Sequence, residues 1–400
     1  MQKSTEIRDD SSGRARNCLT GLGTAYPPHL LTPEWLEDVA DRFHDVEESE
    51  GLQQLLNVVS PKTGIETRAG VCNHGTHAFG TNKDPPTIAE LDKFFRIEGV
   101  KLAVEACKAA LSESGIAVDQ ITHTVAVTCT NQGSPGYDLL VHQQLGLSPG
   151  VNRTLLHGVG CAGGLSVIRA ASQVVLAATA RGKPAHVLGF ACELSTPLLR
   201  RELADAAKSP ARDVSIASAL FSDGAAAFLM TNDRGLGASK PLFEVLACES
   251  ALIPGTLGHM GCYADSQGYR TILTRDVPRS VKLSVEPMFT SLLSDCFDLG
   301  LPNEANDFDW ALHPGGRAII DSIQATMALD HDRLRATNEI YRTRGNSSSP
   351  TVLIVLDKLR SMGPRDHIVA ASFGPGLSIE MALLKHCRQE RHPAAMSNGH

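Results

Sequence analysis

"HGVGCAGG", residues 157–164, sets one cysteine among glycines directly ahead of "LSVIRAASQVVLAATA", a long run of small and apolar residues. The glycines permit a tight turn, and the run reads as a helix that opens at it. Cys161 then has two readings. It is either a small buried hydrophobe, as free cysteine commonly is, or a thiol held out as a nucleophile. In the second reading the helix dipole and free N–H groups of the first turn favour the thiolate and should lower its pKa.

Outward from this turn, "HTVAVTC" (123–129) and "AHVLGFAC" (185–192) read as strands buried on both faces, and 99–115 as a helix closed by Gly115. Residues 225–230, 243–253 and "DFDWAL" (307–312) read as further strands, and 367–385 as two antiparallel strands around a glycine-rich bend. Such alternation predicts a layered α/β protein with a mostly buried sheet. A polar, glycine-bearing stretch near residue 236 divides the core into halves, 18–235 and 236–387, with polar tails at 1–17 and 388–400.

Composition removes several function classes. The 400 residues are 42% hydrophobic and 20% charged with a formal net charge of -7, and no Lys/Arg cluster stands out, so nucleic acid is not an expected partner. The first residues are polar without an apolar leader and no window reads as a membrane span, so a cytoplasmic location is expected. Ten dispersed cysteines with no CxxC pair predict reduced thiols rather than a disulfide framework or a metal site. Neither a Walker A loop nor a GxGxxG after a strand is present.

Two further polar residues stand at turns of small residues. His313 follows a strand in "WALHPGG", and Asn346 in "RGNSSSPTVLIVLDKL" reads as the N-cap of an amphipathic helix. Singly, the histidine reads as a structural hydrogen-bonder and the asparagine as a cap. Together with Cys161 they make a candidate nucleophile with a base and a hydrogen-bond donor.

The ordered runs "GLGTAYPPH", "TCTNQGSPGYD", "HGVGCAGG", "ALFSDGAAA", "DFDWALHPGG", "RGNSSSPT" and "FGPGLSIE" cover nearly the whole chain. Their combination resembles the type III polyketide synthases, the chalcone-synthase-like branch of the thiolase superfamily, and most of all the fungal alkylresorcylic acid and alkylpyrone synthases. Thiolases carry a second cysteine in the last glycine-rich turn, elongating ketoacyl synthases pair cysteine with two histidines, and ketoacyl synthase III enzymes show Gln-Ala-Asn after the histidine. This chain has "FGPGLS", Asn346 and "PGG". The resemblance implies the five-layered αβαβα thiolase-like fold of two similar halves, a homodimer, and Cys161, His313 and Asn346 as catalytic residues. It further implies acyl-CoA and malonyl-CoA as substrates, with no cofactor, no metal and no carrier protein.

For the cavity, the resemblance places Phe221 and Phe373 between the CoA tunnel and the reaction chamber, and Met260 and Ser348 within the chamber. Thr271, Cys262, Leu198, Asn131 and Ser195 stand where plant enzymes carry other cavity residues. Thr271 in place of a gate phenylalanine implies room for a fatty acyl chain. Lys62 aligns with a lysine that meets CoA phosphates, but Leu55 and Val58 replace its basic companions, leaving Arg68 and Arg317 as further CoA candidates. The expected product is an alkyl or acyl pyrone, or a resorcinol or resorcylic acid. The alternatives are a ketoacyl synthase III-like enzyme, an enzyme coupling two β-ketoacyl chains, and a catalytically dead scaffold.

Overall fold

The computed structural model describes residues 16–59, 62–266 and 268–387. The tail expected at 388–400 and most of that at 1–17 therefore lie outside the described residues. Arg16 and Asn17 belong to the body: Arg16 reaches Asp233 and Glu244 at 3.7 and 3.5 Å, and the carbonyl of buried Asn17 accepts from the Val245 N–H.

Eleven strands position the site. They are β1 (Cys18–Ala25), β2 (His123–Val127), β3 (Asn152–Leu156), β4 (His186–Glu193), β5 (Gly224–Thr231), β6 (Phe243–Leu252), β7 (Met260–Asp265), β8 (Gly268–Leu273), β9 (Asp309–Leu312), β10 (His367–Gly374) and β11 (Ser378–His386). Nine of them form one sheet in the order β9-β10-β11-β6-β1-β5-β4-β2-β3, while β7 and β8 pair as a separate hairpin.

The sheet repeats itself. In β2-β4-β5-β1 the first contact is parallel and the next two are antiparallel, and β9-β10-β11-β6 follows the same sequence of senses with the same chain order. β3 extends the first set alone, in parallel with β2. The two sets meet over the short β1–β6 pairing, Cys18 opposite Glu244 and Leu19 opposite Phe243.

Strands such as β4 and β5 are buried along their full length, so both faces of each half-sheet must be covered by helices. Helix α1 (Val100–Ser114), ended by the left-handed Gly115, packs with β4 and β5 on one outer face. Between the half-sheets lie α2 (Gly163–Ala180) and α5 (Thr351–Arg360), whose Val167, Ile168, Leu353 and Val355 share one core cluster with strands of both halves. On the other outer face are α3 (Val277–Ser294) and α4 (Arg317–Thr326). The layers run α, β, α, β, α, the thiolase-like α/β arrangement.

The central position of α2 corrects one expectation. The segment Gly160–Ala180 is long and apolar enough to cross a membrane, but it is apolar because sheet and helix enclose it on several sides.

Candidate active site

Cys161 lies in a 3-10 turn, Gly160–Ala162, that runs straight into α2. Two glycines fix its position. Gly160 has φ +46, and a Cβ there would come within 2.5 Å of Pro375 in the "FGPG" turn; a Cβ on Gly164 would lie 2.5 Å from the carbonyl oxygen of Ser349. The start of α2 can thus press against turns from the second half of the chain.

The partner turn ahead of α5 is equally constrained. Asn346 forms an isolated parallel bridge with Phe221, and its Oδ1 accepts the Ser348 N–H at 2.8 Å. This bond holds Ser348 at φ +59, a strained conformation for a residue with a side chain. The strained serine puts its hydroxyl 3.3 Å from Cys161 Sγ and 3.7 Å from Cys129 Sγ, and the Asn346 side chain also hydrogen-bonds the Cys161 sulfur. Asn346 is consequently not a helix cap. The cap position belongs to Pro350, and α5 is buried on nearly every side rather than amphipathic.

His313 follows β9, and its N–H donates to the Ala371 carbonyl of β10 at 2.8 Å. The end of β10 also reaches the cysteine turn, because a Cβ on Gly374 would meet Val159 O and the Ala162 side chain. His313 and Cys161 therefore pack against the same strand end. Both ring nitrogens of His313 are buried without a hydrogen-bond partner among the described residues.

Electrostatics here run against the helix-dipole expectation. Cys161 is only 8% exposed, and burial pushes its thiol up to about 12 despite hydrogen bonds from Ser348, Asn346 and its own backbone turn. Burial likewise drives His313 down to about 3. Neither group carries a lone charge at neutral pH. Charge can appear here at modest cost only as a thiolate–imidazolium pair.

One charged group below the cysteine escaped sequence reading. Glu193 ends β4 fully buried and accepts from the N–H groups of Cys129 and Thr130 at 3.0 Å, and from the hydroxyls of Thr130, Thr128 and Ser349. Desolvation raises its pKa even so. A lone acid closing the apolar run "HVLGFACE" was the available signal.

The cavity candidates are distributed as follows. Thr271 and Cys262 face one another across the β7–β8 hairpin, and Met260 begins it. Leu198 packs in a small cluster with Leu91 and Tyr269, with Cys262 against it. The Ser195 N–H donates to buried Asp223, and Asn131 donates to Asp92. Phe221 is half-buried, its carbonyl held by Arg68. Phe373 is buried in the core cluster of the second half.

Of the CoA candidates, Lys62 and Arg317 line one cleft of about 410 Å³ that also includes Gly315 and Gly316. Arg68 does not belong with them. It stands on a fully buried short strand, Arg68–Gly70, and its guanidinium donates inward to the carbonyls of Ser218 and Phe221. No cluster of three His, Cys, Asp or Glu suited to a metal occurs among the described residues.

Comparison with known proteins gives this geometry a family. Residues 3–234 and 244–388 match the N- and C-terminal domains of the chalcone and stilbene synthases. The chain belongs to the chalcone and stilbene synthase family. It is 52% identical over 384 residues to the type III polyketide synthase pspB of Penicillium soppii, covering 92% of this chain and 96% of that protein. It is 35% identical over 378 residues to the acylalkylpyrone synthase csyB of Aspergillus oryzae, covering 92% and 93%. Among solved structures, a type III pentaketide synthase from Neurospora crassa superposes with a TM-score of 0.88 at 37% identity. That match covers 93% of this chain and all of the other. CsyB complexed with CoA-SH gives 0.89 at 34% identity with the same coverage. Like its family, the chain is an acyltransferase that uses CoA thioesters, and its general activity is that of a type III polyketide synthase.

Proposed function

We propose that this enzyme loads a fatty acyl group from its CoA ester onto Cys161 and extends it with malonyl-CoA by decarboxylative Claisen condensation. The extended chain then closes to a pyrone, resorcinol or resorcylic acid. The observation that carries the reading is the convergence of the Cys161 sulfur, the Asn346 amide and the unpartnered imidazole of His313 where the two halves meet.

His313 takes the thiol proton as Cys161 attacks the thioester carbonyl, and CoA leaves as its thiol. The imidazole and the Asn346 amide then donate to the thioester oxygen of malonyl-CoA while carbon dioxide departs, holding the enolate that attacks the acyl-cysteine. Decarboxylation itself supplies the carbanion, so this chemistry calls for no cofactor or metal, and free CoA esters make a carrier protein unnecessary. Thr271, smaller than phenylalanine at the hairpin, supports an aliphatic starter.

The reading includes a cytoplasmic homodimer. In its support, β3 ends the sheet as a partly exposed edge strand, the kind of element a second copy can cover. Light scattering of the purified protein measures the mass. A second reading, coupling of two β-ketoacyl chains into an acylpyrone, draws on the likeness to the acylalkylpyrone synthase of Aspergillus oryzae.

One assay decides between them: purified protein, malonyl-CoA and acyl-CoA starters of graded length, with products read by mass spectrometry. Tri- to pentaketide pyrones or resorcinols from long starters are expected, and Cys161→Ala should abolish them. Products containing two starter chains would move the assignment to coupling. Acceptance of aromatic starters alone would overturn the fatty acyl assignment.

A further inference from the structure

The cleft at Gly315 and Gly316 continues into a second hollow of about 600 Å³, the two sharing Val214, Leu273, Thr274 and Arg275. Five basic side chains line this hollow against two acidic ones, in a chain whose net charge is -7. Its position is also suggestive. A Cβ on Gly315 would sit 3.5 Å from the His313 ring, so the cleft leads to the catalytic histidine while the hollow opens at its outer lip.

Several arginines elsewhere are committed to carboxylates, as Arg153 is to Asp138, Arg169 to Glu380 and Arg360 to Asp357, and within the hollow Arg201 is paired with Asp205 and Asp265. Even Arg317 in the cleft is held by Asp321 at 2.9 Å. Arg275, Arg270 and Lys208 have no carboxylate within ion-pair distance among the described residues. Exposed cations grouped around a concave surface, with no counter-charge in the protein, form a site for a polyanion.

We infer that Arg275 receives the diphosphate of the CoA thioester, and that Arg270 and Lys208 hold its 3′-phosphate in the adjoining hollow. This rests on the reading above that CoA esters deliver their acyl groups through the cleft. The pantetheine arm then passes Gly315 and Gly316, where the absence of side chains leaves room beside His313. The assignment puts the basic side of the entrance on the lip carried by β8 and the turn after it, across the cleft from apolar Val58, while Leu55 is a fully buried residue of a separate core cluster.

The test uses three variants of the full-length enzyme, Arg275→Gln, the double Lys208→Gln/Arg270→Gln, and Lys62→Gln. The donors are malonyl-CoA, its 3′-dephospho form and malonyl-N-acetylcysteamine, which lacks the nucleotide. Arg275→Gln should raise KM for both CoA donors about tenfold with kcat retained, the loss of one charge-assisted phosphate contact. The double variant should raise KM for malonyl-CoA roughly fivefold and leave it unmoved for the dephospho form. Neither effect should persist with the N-acetylcysteamine donor. An unchanged KM in Arg275→Gln, with the rise found in Lys62→Gln instead, would refute the site and leave the synthase reading intact. Wild-type protein that neither turns over malonyl-CoA nor binds free CoA by calorimetry would overturn both.

Discussion

Replacing His313 with glutamine isolates what burial alone does to the cysteine. With the imidazole gone, the thiol keeps the value that burial imposes, about 12. At pH 8 its thiolate fraction is then about 10⁻⁴, against roughly a quarter for an unperturbed thiol with a pKa near 8.5. The more basic thiolate is intrinsically more nucleophilic, which returns roughly thirtyfold at the usual Brønsted slope. The net expectation is alkylation of Cys161 about 10²-fold slower than that of a free thiol. The assay is iodoacetamide modification followed on the Cys161 peptide by mass spectrometry, so that the half-buried Cys129, Cys248 and Cys262 do not contribute. In His313→Gln the rate should climb about tenfold per pH unit from pH 7 to 10 without a plateau, while wild-type protein reacts faster and levels off. A plateau below pH 9 in the variant would show that the turn and helix end lower the thiol's pKa unaided, and the pair argument would fall.

Other expectations concern the scaffold. Gly164→Ala forces a Cβ to 2.5 Å from the Ser349 carbonyl, so about 1–3 kcal/mol of stability should be lost in urea titration, with kcat down at least tenfold as the Ser348 turn moves off the sulfur. Asp223 is fully buried, and desolvation outweighs its hydrogen bonds, raising it to about 6 from an unfolded value near 3.9. The folded state therefore binds the proton more tightly, and stability should rise as pH falls through 6. Between pH 7.5 and 5 wild-type protein should gain about 1 kcal/mol relative to Asp223→Asn, and a gain in the opposite direction would contradict the argument. Arg335→Ala strips the two-pronged partner, at 2.7 and 2.8 Å, from buried Asp309 and should cost about 3 kcal/mol in urea melts. Asp309→Asn in the same background should recover part of that loss.

Much of the layered body was legible because its strands are apolar along their whole length and end at glycine or proline turns. β4, β5, β10 and β11 each lie within a residue or two of the run that announced them. The site was legible as residue types, Cys161, His313 and Asn346, but not as an electrical environment. A helix start raises the expectation of an acidic thiol, whereas enclosure by two half-sheets sets the opposite trend. Arg68 was a CoA candidate by its charge alone. Its strand turns the side chain inward, and no local pattern reveals that. Glu193 and Arg275 went unread for a related reason: the first matters through five donors brought from two distant segments, the second through the carboxylates that are not near it.

The last described strand, β11, does not lie at an edge. It enters between β10 and β6 and pairs with both along most of its length. During synthesis the second half-sheet thus stays open in the middle until nearly the whole chain has left the ribosome, and β10, whose end carries the contacts to His313 and to the cysteine turn, has no neighbour on that side. Cys161 is made long before then. The enclosure that raises its thiol pKa, and the turns that bring Asn346 and His313 toward it, are complete only once β11 is in place.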